Sequence, residues 1–154
     1  MNGLPKLVLG VVISLCMSLP VNAGLFNISI NNLGGLTPSQ SSAFDDAIAY
    51  WESYLIGVQS AFDHSIIIEA SGAPIDGTGG VLGNAGPSSI TQLSDSTYVY
   101  ANKGRMRFDT ADLNNMENNG TLFDVIVHEM AHVIGFGILW TTDFFIAGSQ
   151  SNYV

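Results

Sequence analysis

Apolar and polar positions change their period several times along this chain, and each period predicts an element. Residues 25–30 (LFNISI) alternate as a strand buried on one face does, and residues 31–35 (NNLGG) supply turn chemistry. Thr37, Pro38 and Gln40 then form a helix-start signal, after which Phe44, Ala47, Ile48, Trp51, Tyr54 and Leu55 recur at steps of three and four. That stripe reads as core packing of a helix rather than an aromatic binding surface. Residues 66–68 form the centre of a second strand. The glycine-rich stretch 72–87 reads as a surface loop. Short strand candidates at 98–101 and 106–108 flank residues 102–104, which suggests a hairpin. The polar run 114–120 reads as a loop. A last helix is predicted from Thr121, which with Asp124 resembles a capping box, to Ile134, with Gly135 as the residue that ends it.

That last helix carries the chemistry. In HEMAHVIGFGI (residues 128–138), His128 and His132 are four apart, so both imidazoles leave one helix face and can share a metal ion. The side chain of Glu129 points about 100° round the helix from His128, where it can act on a water instead of ligating. This is the HExxH arrangement of zinc hydrolases, with His128 and His132 as metal ligands, Glu129 as general base and Zn2+ as cofactor. An apolar core helix carrying two histidines by chance is the alternative, but an unligated pair is costly to bury among such neighbours. Phe123, Val127, Met130 and Ile134 are expected to face the core, and Leu122, Ile126 and Val133 to form a second apolar surface on the flank of Glu129.

Composition bounds what surrounds this motif. With 154 residues, 47% hydrophobic and 11% charged, the chain has ample apolar material for one domain. Its net charge of -9 disfavours nucleic acid and anionic membrane surfaces as partners. Residues 1–23 read as a signal peptide: Lys6 precedes the apolar run 7–19, and Val21, Asn22 and Ala23 lead to a cleavage site after Ala23. A spanning anchor needs about 20 apolar residues, more than this run offers. The expectation is a secreted chain, extracellular or periplasmic, whose mature part has no stable membrane association. Cys16 is the single cysteine and lies inside the signal after Leu15, so lipid attachment there is not expected. The mature chain, residues 24–154, then has neither disulfide nor thiolate ligand.

Other polar groups carry weaker signals. Asp109 and Asp112, in FDTADL, either bind a structural cation or, as such acids more often do, sit in a turn and a helix start. The glycine-rich stretch has no following lysine and hydroxyl residue, so it is not a phosphate loop. His64 reads as a strand-end or surface residue. Asp143 is a weak candidate for a third zinc ligand.

HEMAHVIGFGILW resembles the zinc-binding helix of metzincin peptidases, in particular leishmanolysin-like metallopeptidases. VLGNAGP, MRFDTADL, GTLFDVIVHEMAH and the WESYL region resemble segments of the same family. The resemblance implies a zinc endopeptidase acting on protein or peptide substrates, with His128 and His132 as ligands, Glu129 as base and Gly135 turning the chain toward a third ligand. It also implies an α+β fold: the upper subdomain of a metzincin-like protease, a small twisted mixed sheet of four or five strands with two main helices. There is a departure. Most metzincins place a third histidine where Ile138 stands, and leishmanolysin-like enzymes carry theirs far downstream. No histidine follows His132 before Val154, and no methionine is placed to form the family's turn. The resemblance therefore implies an N-terminal part of the catalytic domain, without the lower subdomain. Two further readings stay open: an inactive fragment or zinc-binding module without turnover, and a zinc hydrolase acting on something other than peptides.

Overall fold

The computed structural model describes residues 25–55, 63–92 and 99–139. Residues 1–23, read above as a signal peptide, and Asp143 lie outside them, and so does Cys16. The elements in chain order are β1 (Phe26–Asn32), α1 (Pro38–Tyr54), β2 (His64–Ala73), β3 (Gly83–Gln92), β4 (Val99–Asp109), α2 (Leu113–Asn118) and α3 (Leu122–Ile134). They form a small mixed α+β fold. The sheet runs β1-β2-β4-β3; β1, β2 and β4 are mutually parallel, and β3 closes one edge antiparallel to β4.

The α1 start follows the sequence. Thr37 is extended, its hydroxyl accepts the Gln40 N–H at 3.2 Å, and the Gln40 carboxamide accepts the Thr37 N–H at 3.0 Å. Two donors left over by the helix start are thereby satisfied. Gln40 is buried because it works twice: its Nε2 also donates to Asn114 Oδ1 and Glu117 Oε2 on α2. Phe44 and Ala47 sink into the core, Ile48 and Trp51 are half-buried, and Tyr54 at the end of the stripe is exposed.

Three sequence expectations are corrected. The predicted hairpin at 102–104 is instead a phase change within one continuous strand: Val99 and Ala101 point inward, then Gly104, Met106 and Phe108 do, while the register with β3 shifts twice between Pro87 and Ile90. Such an irregularity breaks the period of two that marks a strand. The glycine-rich stretch is a loop only over 74–82, because residues 83–87 pair with β4 as the edge strand β3, where a proline is tolerated. The polar run after Asp112 contains α2, a six-residue helix held down by Leu113 and Met116.

His64 is a strand-end residue, as read, but not a surface one. It opens β2, is buried between the rings of Phe26 and Tyr100, and its Nε2 lies 3.1 Å from the Ala101 carbonyl. Burial lowers its pKa below the usual imidazole value, and the hydrogen bond to Ala101 opposes the shift. No helix among the described residues is long and apolar enough to cross a membrane.

Candidate metal centre

α3 lies over β3 and β4 and beside α1. Its most buried line is Leu122, Ile126, Met130 and Val133. The surface expected on the flank of Glu129 is thus the core face, and of the line expected to face the core only Met130 is fully buried. Phe123, Val127 and Ile134 are half-buried at its edge, where the Trp51 indole N–H donates to the Val127 carbonyl at 3.2 Å and Tyr50 meets Phe123 edge-on. The opposite side is left for His128 and His132.

The structure brings these two rings together. Their Nε2 atoms are 3.3 Å apart. A tetrahedral zinc with Zn–N bonds of 2.0–2.1 Å requires a separation of about 3.3–3.4 Å, so the pair has the bite of a zinc chelate. His132 is oriented from behind: its Nδ1 lies 3.0 Å from the Phe136 carbonyl. A carbonyl only accepts, so Nδ1 carries the proton and Nε2 keeps its lone pair for a metal. That carbonyl is in place because α3 ends at Gly135, with φ +123°, and the Phe136 N–H returns to the Ala131 carbonyl at 3.0 Å. The Phe136 ring in turn packs on Trp51 of α1. Among the described residues no group of three His, Cys, Asp or Glu side chains gathers as a metal cluster. His64 is engaged elsewhere, as described above.

Glu129 and His128 line a cavity of about 470 Å³, together with Asp124, Val125 and the loop and strand residues Gly80, Val81, Leu82 and Gly83. The wall formed by residues 80–83 was not legible as functional in the sequence. Two acids hold it. Asp109 Oδ2 accepts the N–H groups of Asp76 and Gly77 at 2.8 Å and of Ile75 at 3.2 Å, and its Oδ1 accepts that of Ala111 at 2.9 Å. Asp112 Oδ1 accepts the Gly79 N–H at 2.8 Å, and the Asp109 N–H donates to the Leu82 carbonyl at 3.0 Å. Asp109 ends β4, and Asp112 stands at the N-cap position of α2 without a side-chain cap bond, so both have the turn and helix-start placement read from the sequence.

These hydrogen bonds lower the Asp109 pKa to about 2. The Ala111 N–H contributes most and Asp76 next; burial opposes them, and Gly77 and Ile75 add to the lowering. A carboxyl whose pKa falls on folding gives stability that is complete above its ordinary value of 3.8 and is lost as pH drops toward about 2. We therefore expect urea midpoints to fall across this window, and the fall to be flatter in Asp109→Asn. Hydrogen exchange at Asp76 and Gly77 should accelerate over the same range. An unchanged slope in the variant would show that Asp109 does not clamp the loop.

The predicted capping box at the start of α3 is absent. Gly120, with φ +72°, joins α2 to α3 so tightly that Thr121 is already helical and its N–H donates to the Met116 carbonyl at 2.9 Å. Its side chain makes no cap, and its hydroxyl lies 3.4 Å from the same carbonyl. Asp124 is thereby released from capping and lines the cavity.

Comparison of the chain with models of protein families, with curated proteins and with solved structures finds no match.

Proposed function

We propose that this protein is a secreted zinc-dependent endopeptidase, and that its α+β fold is the upper subdomain of a metzincin-like catalytic domain of the leishmanolysin type. One observation carries the reading: two histidine Nε2 atoms on successive turns of one helix, 3.3 Å apart, with the intervening Glu129 lining the adjacent cavity. His128 and His132 hold the ion through Nε2. Zinc, when bound, supplies Lewis acidity that polarises a carbonyl and lowers the pKa of a water toward about 7.

The rest is work for the chain. Glu129, which lines the same cavity as His128, takes a proton from the attacking water on a carboxylate oxygen and returns it to the departing amine nitrogen. The Phe136 carbonyl keeps the His132 proton on Nδ1 throughout. Residues 80–83 form the wall against which an extended peptide lies. The signal peptide at residues 1–23 supports secretion.

Equilibrium dialysis of the chain against zinc, followed by casein digestion, tests the proposal. We expect one zinc per chain, cleavage that stops with a chelator and returns with zinc, and loss of both in His132→Ala. Zinc binding without cleavage would favour a zinc-binding module, and no zinc binding would overturn both readings.

A further inference from the structure

The carbonyl that orients His132 belongs to a stretch with unusual backbone freedom. Phe136 stands between Gly135, with φ +123°, and Gly137, with φ +73°, and glycines restrict the direction of the chain least of all residues. The Phe136 N–H is tied back to the Ala131 carbonyl at 3.0 Å. Its own carbonyl lies on the Gly137 side, 3.0 Å from His132 Nδ1, and its side chain is 40% exposed. Backbone preference alone does not set where that oxygen points.

The Phe136 ring reaches a second helix. It packs on the indole of Trp51 in α1, with ring centroids 5.6 Å apart and planes tilted by 36°. Trp51 is in turn tied to α3 just before His128, because its Nε1–H donates to the Val127 carbonyl at 3.2 Å. That bond fixes the angle of the indole, which a ring without a donor would leave to packing. One side chain of α1 thus touches the backbone beside the first proposed ligand and the residue whose carbonyl orients the second.

We infer that Trp51 is a positioning residue of the proposed metal centre. It serves as a shelf for Phe136, keeps the Phe136 carbonyl against His132, and through that carbonyl keeps the His132 proton on Nδ1 and Nε2 ready for the ion. The metal part of this inference rests on the reading of the preceding subsection; the state of the His132 ring does not. A position that packs and does nothing more would affect stability and leave the His132 tautomer alone.

Long-range proton–nitrogen correlation spectra of the full, metal-free chain at about pH 8.5, above the usual imidazole range, read that tautomer. The Nδ1–H form is expected in the unmodified protein and in Trp51→Phe, which keeps a ring under Phe136. In Trp51→Leu the Nε2–H form should gain. Phe136→Ala, at a part-exposed position whose loss leaves the core intact, should give the same gain, and the double variant no more than either single one. Phe44→Leu, a buried change on the same helix, should lower the urea midpoint with the tautomer unchanged. In equilibrium dialysis Trp51→Leu should bind zinc about tenfold more weakly, as expected when the support behind a ligand is lost, and Phe44→Leu as the unmodified protein does. A tautomer that ignores Trp51→Leu and Phe136→Ala, one that responds equally to Phe44→Leu, or an unchanged zinc affinity in Trp51→Leu overturns the inference and leaves Trp51 as core packing. The expected tautomer response in a chain that binds no zinc would sink the metal reading and leave Trp51 as the residue that positions the His132 ring.

Discussion

Glu129→Gln is expected to retain one zinc per chain and to lose the proposed peptide hydrolysis by roughly 100-fold to 10,000-fold, the contribution expected of a positioned general base. The two effects separate because the two jobs fall to different side chains of one cavity. The proposed ligands are His128 and His132, whose Nε2 atoms stand at the separation a zinc chelate needs, and the amide of glutamine is not expected to disturb them. What the amide lacks is a basic oxygen able to take a proton at neutral pH. Glu129 is half-buried at the cavity wall, and glutamine has its shape, so packing and the unfolding midpoint should be unchanged. Dialysis, urea unfolding and turnover on the same preparation check all three. Activity persisting in the variant would remove Glu129 from the mechanism. Loss of zinc would mean that the glutamate is a ligand, which would require α3 to be wound differently near residue 129.

The parts of this molecule that could be read from sequence are those in which local chemistry and burial agree. Thr37 and Gln40 form their box because both partners lie within one turn, and the His128 and His132 pair needs only the rise of a helix to converge. Reading failed where a tertiary contact overrode the local signal. Thr121 and Asp124 have capping spacing, but α2, hidden in a polar run, leads into α3 through a tight turn that uses the Thr121 N–H. Residues 83–87 look like loop, yet β4 lends them its ladder. The cavity wall is of the same kind. The loop that leads into it is placed by carboxylates some thirty residues away in sequence, Asp109 accepting from Gly77 and Asp112 from Gly79. Only the four-residue interval between Asp124 and His128 was available beforehand as a sign that this acid faces the site.

Gly104→Ala is expected to destabilise the chain by on the order of 1–3 kcal/mol and to weaken zinc binding with no ligand touched. Gly104 stands where β4 changes phase and turns inward, directly beneath α3. A methyl group built there runs into Val133 Cγ1, approaches Cγ2 to 3.0 Å and the Gly86 carbonyl oxygen to 3.1 Å. Val133 is fully buried and follows His132, so it has no free rotamer space into which to retreat. Either α3 lifts from the sheet or β3 moves outward at Gly86, and both shift the histidines relative to the wall at residues 80–83. Val133→Ala removes the two methyls that collide. Alone it leaves a small void and a loss on the order of 1–3 kcal/mol. Combined with Gly104→Ala, it lets the new methyl occupy that void, so the double variant should be more stable than the sum of the single losses predicts and should recover zinc affinity. Urea midpoints and zinc titrations of the four proteins decide the matter. Strict additivity would mean that the cost of Gly104→Ala arises in the strand itself, from the backbone freedom a glycine gives at the phase change, and that close packing of α3 on β4 is not what sets the height of the metal face.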